Sequence, residues 1–139
     1  MAIHSNCNLQ AAAVALGLIN MGRGVDSGRA IEDMLTFAHA TRHEKIIRGL
    51  GLGVALIMYQ QEEAAETIIE QLVRDKNPLI RYGGVFTVAL AYCGSSNNKA
   101  LQRLLHIAVS DVSDDVKRVA VIALGYVLMR DPDKVRWCS

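Results

Sequence analysis

The sequence predicts an all-α fold, a solenoid of stacked helical hairpins that forms a superhelix or toroid segment of about three to four repeats. Four apolar segments rich in Ala and Gly recur, with more polar, amphipathic segments between them. Both prolines of the 139-residue chain, Pro78 and Pro132, lie where a helix is expected to begin. The apolar segments are AAVALGLINMG, LGLGVALIMYQ, GVFTVALAYCG and AVIALGYVLMR, starting at residues 12, 50, 84 and 120, at spacings of 38, 34 and 36 residues.

Each apolar segment predicts a helix that must be covered on every side, because its apolar residues follow no single stripe. When the four segments are aligned, one column holds large side chains and the column before it holds only small ones. Glycine in a helix costs up to about 1 kcal/mol relative to alanine, so the small column indicates close packing of neighbouring helices. The large column is Leu18, Leu56, Leu90 and Tyr126, and the small column is Gly17, Ala55, Ala89 and Gly125.

The intervening segments predict amphipathic helices that pack one apolar stripe against the others. Their sequences are AIEDMLTFA from Ala30, AETIIEQLV from Ala65 and ALQRLLHIA from Ala100. Each repeat is therefore expected to be an amphipathic helix, a turn and an apolar helix. The predicted helices are 8–22, 28–41, 44–59, 62–75, 78–93, 98–110 and 114–130.

Helix-start signals mark several of these boundaries. Asn77 followed by Pro78 predicts an N-cap with proline at the first helical position. Thr41 and Glu44 have the spacing of a capping box. In the run 113–115, a serine precedes two aspartates, which the positive end of a helix favours.

We expect one helical domain over 1–139, with an irregular tail at 131–139 that does not continue the repeat. The chain begins with half a hairpin, so the sequence resembles a segment of a longer toroidal array. Stacking faces left uncovered at both ends predict that the isolated piece self-associates or is poorly stable.

Composition excludes several functional classes. Fifteen Lys and Arg against fourteen Asp and Glu leave a net charge of +1, too little basic excess for nucleic-acid binding. No apolar run is long enough to cross a membrane, and the first residues do not form a signal peptide. The scattered cysteines Cys7, Cys93 and Cys138 indicate a reducing compartment rather than a disulfide framework.

Four motifs that could carry chemistry have simpler structural interpretations. The glycines in 49–53 lack the strand that precedes a phosphate-binding loop, which favours helix packing. His39 and His43 are expected on different elements, not as a metal pair. The aspartates in 111–115 lack calcium-loop spacing and favour helix capping. Cys93 is expected to be a structural thiol. His106 is likewise expected at a core or boundary position rather than as a catalytic base. We therefore predict no catalytic, cofactor or metal site.

Several longer runs resemble the proteasome/cyclosome repeat family, from about residue 12 to residue 130. The runs are HEKIIRGLGLGVALIMY, RDKNPLIRYG, VALAYCGSSNNKALQRLLHIAVSDVSDDVKRVAV and ALGYVLMR. The resemblance implies a non-catalytic scaffold of the proteasome base, in the cytoplasm and nucleus, whose repeats close into a ring with an inner and an outer helical layer. It also implies contacts with the ATPase ring, the lid and ubiquitin receptors, and transfers no catalytic residue.

Partner-facing residues are expected on the outer helices and turns. Three alternatives stay open at this point: a HEAT- or armadillo-type adaptor outside the proteasome, a direct ubiquitin-binding module using the acidic helix at 62–75, and an enzyme built on helical repeats. The candidate contact residues are Arg29, Glu32, Glu62, Glu63, Lys99 and Arg103.

Overall fold

The computed structural model describes residues 2–131 and 133, with side chains from residue 5 onward. This part of the chain is helical and contains no strand, which confirms the all-α prediction. Short 3₁₀ turns at Gly24–Ser27 and Glu62–Ala65 precede the second and fourth helices. The helices are α1 (Ala2–Ile19), α2 (Gly28–Ala40), α3 (Glu44–Ile57), α4 (Glu66–Val73), α5 (Pro78–Ala91), α6 (Asn98–Ser110) and α7 (Asp114–Leu128).

The helices form two layers. The inner helices α1, α3, α5 and α7 pack side by side in chain order, and each outer helix, α2, α4 or α6, packs on the inner helix that follows it. The helical-hairpin solenoid is therefore confirmed. Its core lies between the layers, where Val54, Val88, Ile69 and Leu104 have no solvent exposure.

The alignment of repeats derived from the sequence holds at the level of single hydrogen bonds. The carbonyl oxygen of Leu56 accepts from the N–H of Gly22 at 3.2 Å. The same bond joins Leu90 to Gln60 at 3.0 Å, and Tyr126 to the glycine at 94 at 2.9 Å. Leu18 holds the matching place on α1, one residue before the helix ends. The four large-column residues are therefore equivalent.

Glycines allow the inner helices to approach closely, but not through one column alone. A Cβ added at Gly17 would lie 2.6 Å from the Cα of Gly53. The small-column residue of α1 therefore contacts Gly53 of α3, two residues before Ala55, the small-column residue of that helix. Gly51 of α3 meets Gly83 of α5 in the same manner, at 2.9 Å. Gly125 differs, because a Cβ there would meet nothing within 4 Å. The prediction is right for Gly17 and wrong for Gly125.

The helix boundaries agree with the predicted spans to within a few residues at most ends. Asn77 caps α5 by accepting from the N–H of Leu79 at 3.0 Å, with Pro78 at the first helical position. The capping box at Thr41 is wrong, because residues 41 and 43 are both extended and α3 begins only at Glu44. The side chain of Thr41 instead accepts from the N–H of His43.

Two further boundaries differ from expectation. α1 begins at residue 2 rather than 8, so the polar residues that were expected to precede the helix form its first turns. Ser113 stands at the N-cap of α7 as predicted, but its side chain makes no capping hydrogen bond. Pro132 and residues 134–139 of the expected tail lie outside the described residues. Among the described helices, none combines the length and apolar character needed to cross a bilayer.

Candidate interaction surface

Clefts separate the outer helices, which pack mainly on the inner layer. The cleft between α2 and α4 has a volume of about 640 Å³, with Ile31, Leu35 and Ile68 among its apolar lining residues and Glu32 and Gln71 among its polar ones. A second cleft between α4 and α6 has about 490 Å³ and is lined by more basic residues. The outer layer thus presents ridges and grooves of mixed polarity.

An ion network centred on Glu66 joins α4 to α6 and α5. Arg103 Nη2 lies 2.9 Å from Glu66 Oε2 and 2.7 Å from Glu70 Oε1. Lys99 Nζ lies 3.6 Å from Glu66, and the Tyr92 hydroxyl donates to the same carboxylate. Burial alone would raise the pKa of Glu66, but the bonds from Arg103 and Tyr92 outweigh it and lower that pKa. Burial and the carboxylate raise the pKa of Tyr92.

A second, more buried ion pair joins α5 to the turn before α7. Arg81 Nε lies 3.0 Å from Asp111 Oδ2, and the side chains are only 14% and 11% exposed. Asp111 also accepts from the N–H of Ser113 at 2.8 Å. Burial acts to raise the pKa of Asp111, but the bonds from Arg81 and Ser113 lower it. Asp111 therefore holds the turn before α7 rather than capping a helix as expected, and it also binds Arg81, a partner that the sequence did not reveal.

A third contact joins α2 to the loop between α4 and α5. His39 Nε2 lies 2.6 Å from Asp75 Oδ2, and His39 Nδ1 lies 2.8 Å from the carbonyl oxygen of Leu35. The bond to Asp75 is the largest cause of a raised pKa at His39, and the Leu35 carbonyl adds to it. His43 stands at the start of α3, so the two histidines lie on different elements, as predicted.

The remaining motifs have structural contacts. Gly49, Gly51 and Gly53 lie within α3 against the neighbouring inner helices, which confirms the helix-packing interpretation. Cys93 is half-buried, with its Sγ 3.3 Å from Met129 Sδ. His106 is exposed, so its expected core or boundary position is wrong. Within the described part of the chain, no three His, Cys, Asp or Glu side chains are grouped as metal ligands.

The six candidate contact residues fall into two groups. Those on α2 and on the 3₁₀ turn before α4 are exposed and free of the ion network. Those on α6 belong to it: the Lys99 side chain is 72% exposed, whereas that of Arg103 is 15% exposed. A partner-facing role stays a prediction for all six. The exposed members, which take part in none of these ion pairs, are Arg29, Glu32, Glu62 and Glu63.

Comparison with known proteins gives a consistent result. No protein-family model matches the chain. It is 56% identical over 125 residues to 26S proteasome non-ATPase regulatory subunit 1 homolog B of Arabidopsis thaliana, covering 90% of this chain and 12% of the relative. It is 53% identical over 123 residues to 26S proteasome regulatory subunit rpn2 of Schizosaccharomyces pombe, covering 88% and 12%.

A third relative, 26S proteasome non-ATPase regulatory subunit 1 of Drosophila melanogaster, is 46% identical over 125 residues, again 90% of this chain and 12% of the relative. The matched segment includes most of both helical layers. The chain spans about an eighth of the length of these relatives. Over nine-tenths of its length, it is thus a homologue of one segment of 26S proteasome non-ATPase regulatory subunit 1.

Proposed function

We propose that this chain is a non-catalytic protein–protein interaction scaffold, part of a base subunit of the proteasome regulatory particle. In this role it organises contacts with the ATPase ring, the lid and a ubiquitin receptor, in the cytoplasm and nucleus. The observation that carries the proposal is 46–56% identity over about 90% of the chain to subunits named as non-ATPase regulatory components of the 26S proteasome.

The architecture supports a mechanism of surface presentation. Close glycine packing holds the inner helices at short range, and the pairs Arg103–Glu66 and His39–Asp75 tie the outer layer across repeats. Exposed groups on different outer helices are thereby kept in a fixed relation, so that partners can dock with little ordering cost.

The arrangement of α4 disfavours the alternative of direct ubiquitin binding. Such a module needs an exposed apolar helix face bordered by carboxylates. Ile69 and Leu72 are buried in the core instead, and Arg103 engages both Glu66 and Glu70. The names of the relatives equally favour a proteasome subunit over a HEAT- or armadillo-type adaptor elsewhere.

Affinity purification of the tagged full-length gene product tests the proposal. We expect ATPase-ring and lid subunits to co-purify, and the double variant Arg29→Glu, Glu32→Lys to reduce recovery of a subset of them. Lys45→Glu, an exposed charge reversal on the inner helix α3, is the matched control and should leave recovery unchanged. Recovery of no proteasome subunit would overturn the function. If the double variant and the control lost co-purified subunits equally, the assignment of partner contacts to the outer helices and turns would be overturned.

A further inference from the structure

The two junctions between successive outer helices differ in chemistry. Between α4 and α6, the ion network uses four charged side chains. The residues 35 positions earlier in the repeat are all apolar, and all of them line the cleft between α2 and α4. A network of this kind therefore does not hold α2 to α4. The equivalent pairs are Ile31 and Glu66, Leu35 and Glu70, Ala64 and Lys99, and Ile68 and Arg103.

Polar contacts link the two sides of this cleft at its ends. At one end, Gln61 Nε2 donates to the carbonyl oxygen of Gly22 at 2.7 Å, which joins the loops that precede α2 and α4. At the other end, His39 in the last turn of α2 contacts Asp75 in the turn after α4. The first contact contains no titratable group, whereas the second depends on the charge of an imidazole.

Both ring nitrogens of His39 face hydrogen-bond acceptors. Nε2 lies 2.6 Å from Asp75 Oδ2, and Nδ1 lies 2.8 Å from the carbonyl oxygen of Leu35. Because neither the carboxylate nor the carbonyl can donate, both contacts are hydrogen bonds only when both nitrogens carry a proton, as in the imidazolium. The neutral ring directs a lone pair at one of the two oxygens and no longer attracts the carboxylate by charge. Loss of the proton therefore weakens the link between His39 and Asp75.

Asp75 keeps its position without the histidine. Its Oδ1 accepts from the N–H of Asn77 at 2.8 Å, at the cap of α5. Helix α2, by contrast, packs on α3 through buried apolar side chains such as Met34, and apolar contacts are not directional. If the link breaks, the last turn of α2 is therefore the part that moves.

Asp75 governs the protonation of His39. The hydrogen bond to its carboxylate is the largest cause of the raised pKa of His39, whose side chain is 46% exposed and in contact with solvent. From α5, Arg81 donates to the backbone carbonyl of Asp75, and its own carboxylate partner lies in the turn before α7. From α2, Glu32 lines the same cleft. The charged neighbours of Asp75 in its own turn are both exposed: Arg74 and Lys76.

We propose that His39 is a pH-sensitive clamp on the outer layer. Its imidazolium holds the last turn of α2 against the turn at Asp75, and loss of the proton lets this end of the cleft between α2 and α4 widen. Exposed groups on the two helices then move apart. A consequence for partner binding rests on the proposed function, whereas the movement itself does not.

Double electron–electron resonance between nitroxide labels across the cleft tests the clamp. Thr36→Cys and Gln71→Cys place the labels at exposed positions on its two sides, in a background in which the native cysteines are serine. Between pH 5.5 and 8.5 we expect a longer distance to gain population at the expense of a shorter one. Because one proton is involved, the ratio of the two should change by at most about tenfold per pH unit. The native cysteines are Cys7, Cys93 and Cys138.

Two substitutions assign the effect to the clamp. His39→Gln cannot titrate, so its distance distribution should be the same at both pH values. His106→Gln is the matched control, because it removes an exposed histidine of α6 outside this cleft and should retain the pH dependence of the wild type. A wild-type distribution that does not change with pH would overturn the proposal. A change that persists in His39→Gln would do the same.

The junction between α4 and α6 supplies an internal comparison. Labels at Gln71→Cys and Gln102→Cys span it, and Arg103 and Glu66 stay charged from pH 5.5 to 8.5, so this distance should not change. An equal widening of both junctions would indicate general loosening of the outer layer and would contradict a local clamp. Circular dichroism at both pH values checks that the labelled chains are folded. If the first labelled pair fails to fold, Glu32→Cys with Thr67→Cys spans the same cleft and gives the same readout.

Discussion

The backbone N–H of Gln60 donates to the carbonyl oxygen of Leu90 at 3.0 Å, the bond by which one repeat is joined to the next. Gly22 and Gly94 make the corresponding bonds elsewhere in the stack. All three donors have a positive φ, of 58° at Gln60, 74° at Gly22 and 70° at Gly94. The junction therefore requires a left-handed residue, and at one of its three occurrences the chain supplies a glutamine.

Gln60→Gly is expected to stabilise the protein. A side chain in the left-handed region costs about 1–2 kcal/mol, whereas glycine loses more backbone entropy on folding, so a net gain of about 0.5–1 kcal/mol in the free energy of unfolding is expected. Urea unfolding followed by circular dichroism measures it. An unchanged or lower free energy of unfolding would contradict the strain at residue 60.

Gly22→Ala is the reverse experiment at the matching position. An added Cβ there would have only the carbonyl oxygen of Tyr59 nearby, at 3.8 Å, so sterics with neighbours contribute little. The change should lower the free energy of unfolding by about 1 kcal/mol through φ alone. If Gly22→Ala were neutral, the junction would not need a left-handed residue.

Alanine substitution should have opposite effects at the two ends of the small column. At Gly17 the new Cβ would lie 2.6 Å from the Cα of Gly53, so the helices must separate, and we expect a loss of about 2–3 kcal/mol. At Gly125 the space is open, and alanine should stabilise α7 by about 0.5–1 kcal/mol through helix propensity. Thermal and urea unfolding of both variants at low protein concentration checks the signs, and the same sign for both would contradict the close-approach argument.

Most of this fold could be predicted from the repeat pattern, because the features that define each repeat depend on residues that are close in sequence. The large column from Leu18 to Tyr126, the cap at Asn77 and the alternation of helix types all follow from local pattern. The capping box predicted at Thr41 was wrong because the spacing of Thr41 and Glu44 does not by itself fix the residue at which the helix begins. The chain stays extended to His43, and α3 begins at Glu44.

The long-range polar contacts were not predicted from the sequence. Arg103 was expected to face a partner, yet its side chain is 15% exposed between two glutamates more than 30 residues away. Asp75 and His39 are 36 residues apart, one repeat length, so a search for opposite charges at the repeat spacing is the signal that would have paired them. Without knowledge of which outer helices adjoin, no local rule selects these pairs.

Arg103→Met is expected to destabilise the protein markedly. It removes the charged donor that Glu66 and Glu70 share, and it leaves the largely buried Glu66 carboxylate without this partner, at a cost of about 2 kcal/mol. Lys99→Met is the matched control, because its side chain is 72% exposed and its 3.6 Å contact with Glu66 should contribute less than about 0.5 kcal/mol. Equal effects of the two substitutions in urea unfolding would show that burial does not decide the strength of this network.

Lowering the pH should weaken the ion network centred on Glu66. The folded pKa of Glu66 is lowered, so its stabilising contribution is present above the unfolded pKa and is lost as the pH falls through the folded one. The difference in free energy of unfolding between wild type and Arg103→Met should therefore shrink below about pH 4. A difference that stays constant down to pH 2 would contradict the ionic origin of the effect.

The contact between His39 and Asp75 should give the opposite pH dependence. The folded pKa of His39 is raised, mainly by the hydrogen bond to Asp75, so protonation stabilises the folded state. Its contribution is fully present below the unfolded pKa of about 6.5 and is lost as the pH rises through the higher folded value. His39→Gln keeps a hydrogen-bonding side chain but cannot titrate, so the wild type should lose its advantage over this variant between mildly acidic and mildly alkaline pH. Paired urea titrations at pH 5.5 and 8.5 measure the change, and NMR titration of the His39 ring gives its pKa directly. A ring that titrates at or below 6.5, or an advantage that grows with pH, would show that Asp75 does not hold the charged imidazolium.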